Sequence, residues 1–203
     1  MPRPSVKATY DKAINDIAIL ERYLQKNNNL PPNMQGFVAE IIMLRLFSIL
    51  ESCIKDTATR VACGSMYRNG CTSTPTILCR SLNDALNKFK STNRNRPIQY
   101  LKFTTVHNAN DSVKNIIPAA EPFRHNLNNF GVQIDEMRKV RNHIAHHYKS
   151  TFSEYKNVII SRFGAYIKIK PSVFLLSTKR QQRPILNEYI ITTKIIINDI
   201  TKG

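Results

Sequence analysis

A formal net charge of +16, from 30 Lys and Arg against 14 Asp and Glu, makes a polyanion the first partner to expect, either nucleic acid or an anionic membrane surface. The 203 residues suit a single domain, 1–203, and the cations are spread along it, so a basic face on a folded body is expected in place of a disordered basic arm. No apolar run reaches the ~18 residues of a membrane span, and Cys53, Cys63, Cys71 and Cys79 include no C-x-x-C pair of a zinc ribbon.

Met1-Pro2-Arg3-Pro4 leads into a polar stretch with no apolar signal core, so a cytoplasmic location and reduced thiols are expected. Ala8 to Gln25 reads as a helix, because Ala13, Ile14, Ile17, Leu20 and Leu24 form one stripe. Asn27-Asn28-Asn29 and Pro31-Pro32 end it. A second helix starts near Asn33 and runs to about Val61. It is densely apolar from Phe37 to Ile54 and is the expected core helix, with Arg45 and Glu51 as internal ion-pair partners.

Gly64 to Pro75 is rich in turn residues. A short helix is predicted over Ser81 to Phe89, with Ser81 as N-cap and Asp84 in the first turn. Ser91 to Pro97 carries Arg94 and Arg96 on a polar loop that suits contacts to an RNA backbone, or serves only as an exposed connector. His107 to Asn115 is a further short helix that stops before Pro118, and Pro122 to Gly131 is an Asn-rich approach to the next helix.

From Met137 to Tyr148 two arginines and three histidines fall within a dozen residues. Met137, Val140, Ile144 and Tyr148 share one helical face, and Asn142 and His146 share the opposite one. Arg141 lies inside the apolar stripe, where a guanidinium is costly unless paired. It calls for a carboxylate, a snorkelling path to water or an anion such as phosphate, whose oxygens its planar fork matches. Tyr148 is expected to pack, and His147 to sit as a cation at the helix end. His143, His146 and His147 have i, i+3, i+4 spacing but no carboxylate or cysteine to complete a ligand set, so neither metal nor cofactor is expected.

Beyond Tyr148, Ser153 to Ser161 continues as helix. Ile167-Lys168-Ile169-Lys170 alternates like a strand, Lys170-Pro171-Ser172 is a turn, and Val173 to Leu176 is its partner, giving a small β-hairpin at 165–176. After the basic loop Lys179 to Arg183, Pro184 opens a closing helix along Ile185, Tyr189, Thr192 or Thr193, Ile196 and Ile200; its β-branched run leaves strand as the alternative.

Arg141-Asn142-His143-Ile144-Ala145-His146 resembles the signature of the HEPN superfamily (higher eukaryotes and prokaryotes nucleotide-binding domain). That signature is an Arg, four to six residues and a His, with a polar residue often after the Arg. The resemblance covers the motif over Val132–Tyr148 and the helix order elsewhere. It implies a mainly α, HEPN-like helical bundle and metal-independent RNA cleavage. In that chemistry the RNA's 2′-hydroxyl attacks the adjacent phosphate, His146 transfers protons, Arg141 stabilises the phosphorane charge and Asn142 positions the phosphate or orients His146. Arg138, His143, His147, Arg94 and Arg96 are the accessory RNA-binding candidates.

On a straight helix Arg141 and His146 point about 140° apart. The resemblance implies a homodimer that joins two motifs in one cleft, and part of the apolar stripe is then interface. It also implies a toxin or phage-defence effector, with a nucleotidyltransferase-like antitoxin as a further partner. The alternatives are a nucleic-acid-binding module without catalysis and an interaction protein defined by such an antitoxin.

Overall fold

The structure is a computed structural model and describes residues 5–92, 95–180 and 182–203. The chain is mainly helical. Among the described residues it forms α1 (Val6–Asn27), α2 (Pro32–Ala62), α3 (Leu82–Ser91), α4 (Val106–Val113), α5 (Pro122–Asn128), α6 (Gly131–His146), α7 (Lys149–Phe163), α8 (Pro171–Leu176) and α9 (Ile185–Lys202). The β structure among them is one isolated bridge between Met66 and Thr72. None of these helices is long and apolar enough to cross a membrane.

The chain divides into two compact units, one of residues 1–14, 50–134 and 194–203, the other of 15–49 and 135–193. In the first, Ile54, Ala58, Val61, Phe89, Phe123 and Ile200 are among the buried residues. Ser81 caps α3, its hydroxyl accepting from the Asp84 amide at 3.1 Å, which satisfies one of the donors a helix start leaves free. The turn-rich stretch after α2 is pinned by a buried carboxylate. Tyr67 Oη donates to Glu121 Oε1 at 2.8 Å and accepts from the Phe123 amide at 3.2 Å, while Thr74 donates to Glu121 Oε2 through N and Oγ1. Arg94 lies outside the described residues; Arg96, in this unit, is exposed.

The second unit carries the motif. Its core draws Ile42, Met43, Leu46 and Phe47 from α2, Met137 and Val140 from α6, Tyr155 and Phe163 from α7, and Phe174 from α8. An aromatic series runs through it: His143 stacks on Tyr155 at 4.8 Å, Tyr155 meets Phe174 edge-on at 5.6 Å, and Phe174 meets Phe163 at 5.7 Å. Gly36 lies so close to Ser172 that an added Cβ would come within 2.9 Å of its Cβ.

The expected hairpin at 165–176 does not form. Residues 165–170 are irregular, and Pro171–Leu176 is α8. Pro171 sits in the first turn, where its missing N–H costs nothing. Pro171, Phe174 and Leu175, at i, i+3 and i+4, are the buried side of that turn. The closing segment is helix, its buried Ile185, Tyr189, Thr193, Ile196 and Ile200 following a period near 3.6. Residues 122–128 are also helical, as α5. Arg45 is exposed and Glu51 half-buried, and neither forms an ion pair among the described residues.

Candidate active site

Helix α6 ends at His146 because His147 takes a left-handed backbone, φ +50°, which no run of helix accommodates. The next residue, Tyr148, is the extended N-cap of α7. The break removes Tyr148 from the Met137–Val140–Ile144 stripe. Its ring is 67 % exposed and lies parallel to the His146 imidazole, centroids 5.9 Å apart and planes 3° apart. The expectation of a packed Tyr148 is therefore corrected. The joint between α6 and α7 is what turns its phenol onto His146.

Arg141 is half-buried, with its guanidinium carbon 5.9 Å from the centre of the buried Phe47 ring. Its Nη1 donates to Asn142 Oδ1 at 3.0 Å, and among the described residues it meets no carboxylate. Neighbouring arginines differ. Arg138 binds Asp135 at 2.9 Å and Glu154 at 3.3 Å, its side chain 19 % exposed. Arg162 binds Glu136 and Glu188 at 2.7 and 2.9 Å.

The pairing changes the role open to Arg138. Burial alone would lower its guanidinium pKa, yet the hydrogen bonds to Asp135 and Glu154 hold it above the ordinary value. Burial raises the Asp135 carboxyl, and Lys139 and Arg138 outweigh this and lower it. Arg138 is thus an internal tie between α6 and α7 and not a free contact for an RNA backbone.

His143 is likewise a packing residue. It is 9 % exposed, stacked on Tyr155, with Nδ1 3.4 Å from Thr151 Oγ1. Burial, and then the neighbouring His147, push its pKa down, so it sits neutral in the core and is closed to an RNA strand. His147 is exposed and meets His143 edge-on at 5.5 Å. His146 and His147 are thus the open imidazoles of the motif.

Asn142 is half-buried and turns its carbonyl oxygen to Arg141; no hydrogen bond to His146 forms among the described residues. It takes up one Arg141 N–H, and among the described residues the other guanidinium N–H groups form no hydrogen bond. Arg141, Asn142 and His146 thus occupy one end of α6 in the second unit, with Tyr148 as the neighbour that sequence reasoning assigned to the core. Clefts of about 370 and 360 Å³ in this unit are lined by other residues, from α1, α8 and α9 and from α1 and α2. Among the described residues no group of three His, Cys, Asp or Glu is placed to hold a metal ion. Compared with protein-family models, curated proteins and solved structures, the chain matches none.

Proposed function

We propose that this chain is a HEPN-like, metal-independent RNA endonuclease that acts as a homodimer, in the role of a toxin or phage-defence effector. The observation that carries the reading is Arg141. It is the half-buried guanidinium of α6 that meets no carboxylate among the described residues, five positions before an exposed imidazole at the helix end. A half-buried cation without an acid is costly for a structural residue and suits a phosphate that arrives with the substrate.

RNA needs little from such a site. One imidazole takes the proton of the 2′-hydroxyl as its oxygen bonds to phosphorus. A second donates a proton to the 5′-oxygen as the P–O5′ bond breaks, leaving a 2′,3′-cyclic phosphate and a 5′-hydroxyl. The arginines hold the charge on the phosphorane. Two imidazoles and two guanidiniums come from two copies of the motif, which removes the difficulty that Arg141 and His146 diverge by about 140° on one helix.

The test is incubation of purified protein with RNA in excess chelator, with RNA binding measured in parallel. Cleavage that falls at least about 100-fold in Arg141→Ala and in His146→Ala, with binding retained in the latter, supports the reading. Binding without cleavage in the wild type replaces it with a nucleic-acid-binding module. Neither activity, with a stable complex with a nucleotidyltransferase-like protein, replaces it with an antitoxin-paired interaction protein. A strictly monomeric chain that still cleaves removes the shared cleft.

A further inference from the structure

Between Glu154 and Glu188 the sequence contains no Asp or Glu. Six cations in that interval, Lys156, Lys168, Lys170, Lys179, Arg180 and Arg183, are exposed, and none forms an ion pair among the described residues. The contrast lies within the same unit, where Arg138, Lys139 and Arg162 all have carboxylate partners.

Contacts among three separate stretches tie together the segments that carry Lys156, Lys168, Lys170, Lys179 and Arg180, and Arg183 follows three residues later in the sequence. The Lys156 ammonium lies over the Tyr166 ring, 4.9 Å from its centre, which joins α7 to the segment after it. Lys179 lies over Phe163 at 5.9 Å, which joins the loop after α8 to the end of α7. The Arg180 guanidinium rests against Gly164, where an added Cβ would collide with Nη1, and Arg180 itself holds a left-handed φ of +59°. Along 166–170 exposure alternates. Tyr166, Lys168 and Lys170 face water, while Ile167 and Ile169 are half-buried, and the Tyr155 hydroxyl donates to the Ile169 carbonyl at 3.3 Å. That alternation makes Tyr166, Lys168 and Lys170 the outward row of this segment.

Like charges gathered in this way repel one another, and a polyanion relieves them. The exposed ring in the row bears on which polyanion. A base stacks on an aromatic face anywhere along a single strand, and RNA is the substrate proposed for the motif of the same unit, which weighs for it over an anionic lipid surface. We infer that this surface holds the backbone of single-stranded RNA, with Tyr166 receiving a base and the six cations facing phosphates. The inference rests on RNA as the substrate proposed above, but not on cleavage.

The experiment is a titration of the full chain carrying His146→Ala with a short fluorescein-labelled uridine-only RNA, over a range of KCl concentrations. Six phosphate contacts to a single strand give a slope of log K against log salt of about −4. Lys168→Gln/Lys170→Gln/Arg180→Gln reduces it to about −2. The matched control Lys12→Gln/Lys26→Gln/Lys55→Gln, also at exposed positions, leaves it near −4. Tyr166→Ala weakens binding at least about fivefold, and Tyr166→Phe restores it.

No binding, or equal slopes in the two triple variants, overturns the inference. So does loss of binding to phosphatidylserine vesicles in the first triple variant while its RNA slope stays at the parent value, which assigns the surface to a membrane. These slopes without cleavage by the wild type keep the surface and remove the nuclease. Cleavage with equal slopes does the reverse.

Discussion

Replacing Arg162 by Met tests what holds the motif helix in the second unit. Arg162 Nε donates to Glu136 Oε1 at 2.8 Å and Nη1 to Glu188 Oε2 at 2.9 Å, and Glu136 Oε1 also accepts from Tyr189 Oη at 2.7 Å. One guanidinium therefore ties α6, α7 and α9. Burial alone would lower its pKa, but Glu136, Tyr189 and Glu188 raise it. Met fills much of the same volume and leaves two carboxylates facing each other without their cation.

Breaking a fully buried pair costs about 3–5 kcal/mol. Here the three charged side chains keep 24, 17 and 24 % of their exposure, and water screens what remains. The expected loss is therefore about 2–3 kcal/mol, near the foot of that range. In a chain of this length it lowers Tm by about 4–12 °C. Thermal unfolding followed by circular dichroism measures it, with Glu136→Gln and the double variant completing a cycle. A coupling of at least about 1 kcal/mol is expected, because Glu136 and Arg162 are in direct contact. The reasoning fails if Arg162→Met unfolds within about 0.5 kcal/mol of the parent, or if the two changes simply add.

Three other outcomes are expected from the same structure. The His143 pKa is lowered from 6.5 by burial and then by His147, so the unfolded chain takes that proton first as pH falls. Its contribution is complete above the ordinary histidine value and declines as pH falls from there through the lowered folded value. Urea midpoints at a series of pH values between neutral and mildly acidic should therefore fall more steeply in the parent than in His143→Phe; parallel curves refute the assignment. Tyr67→Phe removes a donor from buried Glu121 and an acceptor from the Phe123 amide, at an expected cost of about 1–3 kcal/mol. Hydrogen exchange at Phe123 should quicken with it, and an unchanged rate argues against the pin. Gly164→Ala places a Cβ at φ +75° against Arg180, with an expected stability loss of at least about 1 kcal/mol and weaker RNA binding through a displaced Arg180. Binding at the parent level in a folded Gly164→Ala chain would separate Arg180 from the surface.

Where local chemistry decides structure, the sequence is readable. The stripes of α1 and α9 and the Ser81 cap follow from spacing and from one hydroxyl, and the structure has them where the pattern puts them. Residues 165–176 mislead because Ile167 and Ile169 alternate like a strand, while the i, i+3, i+4 set at Pro171, Phe174 and Leu175 is too short to stand out.

The candidate site residues divide along the same line. Arg141, Asn142 and His146 are visible in one short motif. The fate of Arg138 depends on Glu154, sixteen positions away on another helix, and that of His143 on Tyr155. Both fates require α6 and α7 to be folded against each other, which no window of sequence contains. The role of Tyr148 turns on a single left-handed residue, His147, of a type that usually adopts ordinary helical angles.

The parallel contact between Tyr148 and His146 has a directional consequence. Parallel rings with centroids 5.9 Å apart are offset, so the phenol flanks the imidazole and does not cap its face. Both ring nitrogens point outward in the ring plane, and the phenol limits how far that plane can swing. The tyrosine thus acts as a side wall that narrows the angles from which this histidine can be reached.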